Sequence, residues 1–176
     1  MGVRVPPGTF YYAQMISNDD QCRPLDLNYY MGEALKEACR AAEKEEIPIG
    51  CVIVHEGRII ARAHNQVEML KDATAHAEMI ALTQAESHFG DWRLKDVTVF
   101  VTKEPCPMCA GAMIQTRVKK VVFGVWADRD GAAGTVLDLL NHPGLGSSIE
   151  YQGGVREEEC RELLRVFFNK LRSAGS

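Results

Sequence analysis

The chain has 176 residues, of which 46% are hydrophobic and 25% charged, with a formal net charge of -4. This length supports one domain with its own core, and the charge excludes a globally basic nucleic-acid binder, so any such contact has to come from a local patch. No apolar run reaches the roughly 18 residues of a membrane helix. Met1 to Phe10 also lacks the basic-then-apolar order of a secretory signal. The six cysteines are therefore read as those of a reducing, cytoplasmic compartment, where such residues serve more often as metal ligands or catalysts than as disulfides.

Residues 1–26 read as a tail. They hold Pro6-Pro7-Gly8, the aromatics Phe10, Tyr11 and Tyr12, Asn18-Asp19-Asp20 and an incidental Cys22, with no helix or strand period. One domain is expected over 27–176. From Leu27 to Glu46 the residues Met31, Ala34, Leu35, Ala38, Cys39 and Ala42 recur at three and four, which predicts an amphipathic helix stopped by Pro48-Ile49-Gly50. Cys51–Val54 and Ile59–Ala63 flank a Gly-containing turn and predict a hairpin. A polar loop is expected from His64 through Asp72. Thr74 is the expected N-cap of a helix from Ala75 to His88, with Met79, Ile80, Leu82 and Thr83 inward. Asp96–Thr102 is expected as a buried strand, Cys106 to Gln115 as a helix, and Lys119–Trp126 as a strand. A short helix over Thr135–Leu140, a weak strand over Ser148–Gln152 and a final helix from Val155 to Arg172 complete the chain. Alternating strands and helices predict an α/β fold with helices on both faces of a sheet. The hairpin makes that sheet mixed rather than parallel.

The chemistry concentrates in two short stretches. One is Ala75-His76-Ala77-Glu78, and the other is Glu104-Pro105-Cys106-Pro107-Met108-Cys109-Ala110-Gly111-Ala112-Met113. Cysteines three apart at a helix start share a face and can grip one ion, and the positive helix end favours their thiolates. With His76 they make three ligands, which leaves a tetrahedral ion an open position for water, as in catalytic rather than structural zinc sites. Glu78 is then placed to shuttle protons. A closed structural zinc would need a fourth ligand, for which His64 and His88 are the candidates. A redox-active Cys-x-x-Cys is the other reading, and the paired His-x-Glu speaks against it.

These motifs, with Val121-Val122-Phe123-Gly124 and Gly131-Ala132-Ala133-Gly134 through His142-Pro143-Gly144, resemble the cytidine/deoxycytidylate deaminase superfamily. Within it they are similar to the bacterial-type tRNA adenosine deaminases, from about Tyr29 to Arg172. The resemblance implies a three-layer α/β/α fold with a mixed five-stranded sheet. It implies zinc held by His76, Cys106 and Cys109, with Glu78 as proton shuttle in hydrolytic deamination of adenosine to inosine at the wobble position of a tRNA anticodon loop. It further implies that Asn65 and the backbone N–H of Ala77 contact the base, that Phe167 and Phe168 stand where RNA is met, and that the protein is a homodimer. The pattern departs from the family at Ala73, where proline is usual, and at Ala127, where aspartate is common. Deamination of a free nucleobase or nucleotide, and a zinc-stabilised non-catalytic subunit, are the alternatives.

Overall fold

The first described helix, α1 (Leu27–Glu43), starts at Asp26, whose carboxylate accepts the N–H groups of Asn28 at 3.0 Å and Tyr29 at 3.1 Å. This computed structural model describes residues 25–146 and 148–174; nearly all of the tail assigned to 1–26, Cys22 included, lies outside them. α1 ends three residues before the expected Glu46. Glu45 takes a left-handed φ of 62° and turns the chain, so that Glu46 points inward while its N–H returns to Ala41 O at 3.0 Å.

Strands β1 (Gly50–His55) and β2 (Arg58–His64) form the predicted hairpin. Its turn residues Glu56 and Gly57 both have positive φ, 48° and 73°, the geometry whose twist matches that of paired strands. Gly50 is required by close packing: a Cβ there would lie 2.0 Å from Ala34 O on α1. After β2 come α2 (Val67–Leu70), α3 (Ala77–Phe89), β3 (Val97–Lys103), α4 (Pro107–Gln115) and β4 (Lys120–Val125). A 3-10 turn at Pro143–Leu145, β5 (Glu150–Gln152) and α5 (Glu157–Ala174) follow.

The five-stranded sheet runs β2-β1-β3-β4-β5. β1 is antiparallel to β2 and β3, whereas β3–β4 and β4–β5 are parallel. One face packs α3 and α4 through Ala77, Ala81, Leu82, Ala110 and Met113 onto Ile53, Val99, Val101 and Val121. The other packs α1 and α5 through Tyr30, Met31, Leu35, Cys160 and Leu164 onto Val52, Phe100 and Val122. Strands covered on both faces read as continuous apolar runs, as Val99–Val101 does. The expected mixed α/β sheet with helices on both faces is present.

Four local expectations are corrected. Thr74 does not cap a helix: its N–H and hydroxyl both donate to Asp72 Oδ1, at 2.8 and 2.7 Å, and the helix starts at Ala77 with His76 as N-cap. Thr83 lies on the exposed side of α3, and Ala77, Glu78, Ala81, Leu82 and Ala85 line its buried side. Thr135–Leu140 forms no helix. Val136 and Leu137 donate to Gly131 O, Leu139 donates to Ala132 O, and Thr135 N–H goes to Glu104, so the loop's donors are consumed by its own fold. The β4–β5 crossover is therefore a long loop rather than a helix. The stretch expected to be a polar loop also contains α2.

Candidate active site

Helices α3 and α4 bring the predicted ligands together. Their N-caps are His76 and Cys106, both extended (φ -70°, ψ 152° and φ -74°, ψ 170°), and neither side chain caps its own helix. Ser, Thr, Asn or Asp at an N-cap would bond back to the first turn. Here both side chains are left to face each other. Pro107 at the first turn of α4 sacrifices no intrahelical bond. His76 Nδ1 lies 3.6 Å from Cys106 Sγ and 3.5 Å from Cys109 Sγ. The three ligand atoms are within 4.8 Å of one another, and among the described residues they form the group able to hold a metal ion.

The electrostatics follow from this crowding. Cys106 is held down to about 4, chiefly by the hydrogen bond from Cys109 and also by His76, against the effect of its burial. Cys109 is pushed up, first because it donates to Cys106 and then by burial. His76 is raised, mainly by its hydrogen bond to Cys106. The protons shared here are those a cation would displace. One imidazole and two sulfurs, fixed from two helix ends, form a donor set suited to zinc. Neither candidate fourth ligand joins them: His64 faces Lys44 Nζ at 3.1 Å and Glu37 at 3.6 Å, and His88 packs against Phe89.

Glu78 stands in the first turn of α3 and is 4% exposed. Its Oε2 is buried without a hydrogen-bond partner among the described residues. Burial raises its pKa above the ordinary carboxylate value. A lone buried carboxylate oxygen is costly, and no hydrogen bond among the described residues accounts for it here.

Asn65 follows β2 and is 3% exposed. Its N–H donates to Ile49 O at 3.0 Å, and its neighbour Gln66 donates to Ala75 O at 3.0 Å, which ties this loop to the residue before His76. Ala77, buried, is the first residue of α3, so its N–H belongs to the first-turn donors that have no intrahelical carbonyl.

A match to the family described as the cytidine and deoxycytidylate deaminase zinc-binding region spans residues 25–125. The chain belongs to this deaminase family. It is 50% identical over 143 residues to the tRNA-specific adenosine deaminase of Bacillus subtilis (strain 168), covering 81% of this chain and 89% of that one. It is 42% identical over 142 residues to the tRNA-specific adenosine deaminase of Streptococcus pyogenes serotype M18 (strain MGAS8232), covering 81% and 89%. A solved structure from work on A-to-I editing by tRNA:A34 deaminases at the wobble position of transfer RNA superimposes with a TM-score of 0.75. It is 36% identical and covers 77% of this chain and 99% of that one.

The deaminase-family match holds His76, Glu78, Cys106 and Cys109 and stops before β5 and α5. The two aromatics on α5 differ: Phe167 is 8% exposed and Phe168 42%, with ring centroids 5.5 Å apart. They belong to a helix on the opposite sheet face from α3 and α4. Sequence reasoning missed two buried carboxylates in this deaminase. Glu104 accepts the N–H groups of Ala127 (2.9 Å), Ala133 (2.9 Å) and Thr135 (3.1 Å) and the Thr135 hydroxyl. It clamps the β4–β5 loop next to Cys106, and a Cβ on Gly131 would strike it at 2.3 Å. Glu46 plays a similar part beside Asn65. The available signal was weak, since a charge at a strand end or in a last helical turn normally reads as solvated.

Proposed function

We propose that this chain hydrolyses adenosine to inosine at the wobble position of a tRNA anticodon loop. The observation that carries the chemistry is the buried carboxylate of Glu78, whose Oε2 has no hydrogen-bond partner among the described residues, two residues from His76 and beside the cysteine pair. The substrate reading is supported by the 50% identity to a relative named tRNA-specific adenosine deaminase.

His76, Cys106 and Cys109 would hold a zinc ion, which supplies Lewis acidity that makes a water nucleophilic near neutral pH. As the water oxygen bonds to C6 of the adenine, Glu78 would take one proton and pass it to the ring nitrogen beside C6; a second proton passed to the 6-amino group would let the C6–N bond break, so that ammonia leaves and the C6 carbonyl of inosine remains. Burial raises the pKa of this carboxyl, so it holds a proton more readily than an exposed one, which suits it to passing that proton on. Asn65 and the Ala77 N–H orient the base from two sides. A ring carbon inside a stack is out of reach, so the nucleotide has to be turned out of its loop into the pocket. Phe168, exposed on α5, offers a ring to neighbouring bases, whereas Phe167 contributes packing. The domain is assigned to 27–176, and the working form to a homodimer. The described cysteines are free, which fits the cytoplasm, and no helix among the described residues is long and apolar enough to cross a membrane.

The test is an inosine assay on a panel of anticodon stem-loops beside cytosine, guanine and dCMP. Turnover on a stem-loop with little on the small molecules is expected. Robust turnover of a free base, with none on RNA, would reject the RNA reading.

A further inference from the structure

Glu46 is 1% exposed, a burial that a carboxylate tolerates only when its oxygens are bonded. Oε2 accepts Asn65 Nδ2 at 3.1 Å and the Glu68 N–H at 3.2 Å, and Oε1 accepts the Met69 N–H at 2.6 Å. Every partner is a donor. A carboxylate only accepts, so the NH2 of Asn65 has to face Glu46 and its carbonyl oxygen has to face away. The main chain of Asn65 is tied to Ile49 O at 3.0 Å. Backbone and side chain are thus both gripped by the segment joining α1 to β1. The grip depends on an unusual turn: Glu45, a non-glycine residue, sits at φ 62° and thereby throws Glu46 under the loop that carries Asn65. Left-handed backbone at such a residue persists only where its surroundings enforce it.

We infer that Glu46 is a positioning residue for base recognition: it fixes the amide of Asn65 in one orientation, carbonyl oxygen outward, before substrate arrives. The inference rests on the proposed role of Asn65 as a contact to the base. A free amide could present either end to a purine. A locked one presents a defined acceptor and discriminates between bases that offer a donor there and bases that do not, because a mismatched buried partner is costly. The same carboxylate holds the N–H groups of Glu68 and Met69, so the orientation of Asn65 and the shape of the loop entering α3 are set together.

Glu46→Gln keeps the size and replaces one acceptor oxygen with a donor, so that either Asn65 or α2 faces a donor instead of an acceptor. Two measurements on the full, zinc-loaded chain test the idea. In the 15N-labelled protein, the side-chain NH2 signals of Asn65 should show one slowly exchanging, downfield proton that Glu46→Gln removes. These signals need no substrate, so they decide the role of Glu46 even if the RNA reading fails, while turnover by the unmodified chain tests that reading alone. On an anticodon stem-loop, Glu46→Gln should lower kcat/KM by about 10- to 100-fold with zinc stoichiometry retained. In an Asn65→Ala background the same change should add less than about twofold, because the two groups act as one. Unmoved Asn65 signals, or losses that multiply in the double variant, would overturn the inference and leave Glu46 a support of the loop alone.

Discussion

At the scale of single residues, the site depends on which side chains are denied their usual partners. His76 and Cys106 occupy N-cap positions without capping, and Glu78, buried, keeps one oxygen unpaired among the described residues. The first two can afford this because the donors they leave unsatisfied enhance the positive end of each helix where sulfur and carboxylate gather. Glu78 has no structural return: its oxygen stabilises nothing in the folded chain that an amide would not. Glu78→Gln should therefore leave zinc stoichiometry and thermal stability near those of the unmodified chain, since removing a buried charge relieves as much as it disturbs. Turnover should fall by about 100-fold or more, the usual contribution of a positioned acid–base group. Metal analysis beside an inosine assay checks both halves, and undiminished activity would remove Glu78 from the proton path.

At the scale of elements, α1 shows how a helix that touches no ligand still shapes the site. Its charged face is partly buried against β2: Glu37 lies 2.6 Å from Arg40 and 3.6 Å from His64, while Glu33 pairs with Arg62 at 2.6 Å and Lys36 at 2.6 Å. Burial alone would raise the pKa of Glu37, but the His64 hydrogen bond and the Arg40 charge outweigh it and hold the group below 4.5. A depressed carboxylate contributes stability that is complete above the unfolded value and is lost as pH falls through the folded one. Urea unfolding midpoints should thus drop between about pH 5 and pH 3, and the drop should shrink in Glu37→Gln; parallel curves for the two proteins would show that Glu37 does not contribute. The spacing of Met31, Ala34, Leu35 and Ala38 made this helix legible in the sequence, and β-branched runs did the same for β1, β3 and β4. The ligand pair of helices was legible too, through His-x-Glu and Pro-Cys-x-x-Cys. Glu46 and Glu104 were not, because each satisfies N–H groups far along the chain, which no local pattern encodes. The Thr135–Leu140 segment failed for the same reason: its spacing suits a helix, but Glu104 and the carbonyls of Gly131 and Ala132 take its donors first. Thr74 lost its expected cap role to a competing turn through Asp72.

At the scale of the whole molecule, two pairs of exposed apolar residues stand on segments that the site itself anchors. Met69 and Leu70 protrude from α2, which Glu46 holds, and Val136 and Leu137 from the loop that Glu104 holds. On α4, the position a Cβ would take on Gly111 has nothing within 4 Å, so the small-residue helix that starts at the cysteines presents an open face. Apolar side chains held rigidly in solvent mark contact surfaces more often than scattered ones do, and a two-fold interface uses the same patch twice. A second copy seated here would rest on the segment that Glu46 holds beside Asn65 and on the loop that Glu104 holds beside Cys106, so association would stiffen both. Sedimentation equilibrium at micromolar protein should give about twice the 19.5 kDa chain mass. Leu70, 54% exposed, is the position to test: a charge there cannot be paired inside an apolar interface without a desolvation penalty. Leu70→Glu should shift the protein to monomer and lower kcat/KM on RNA, with little change in the urea midpoint of the monomer because more than half of the residue already faces solvent within its own chain. A variant that stays dimeric would move the interface away from α2, and an unmodified chain that sediments as a monomer would dismiss the dimer.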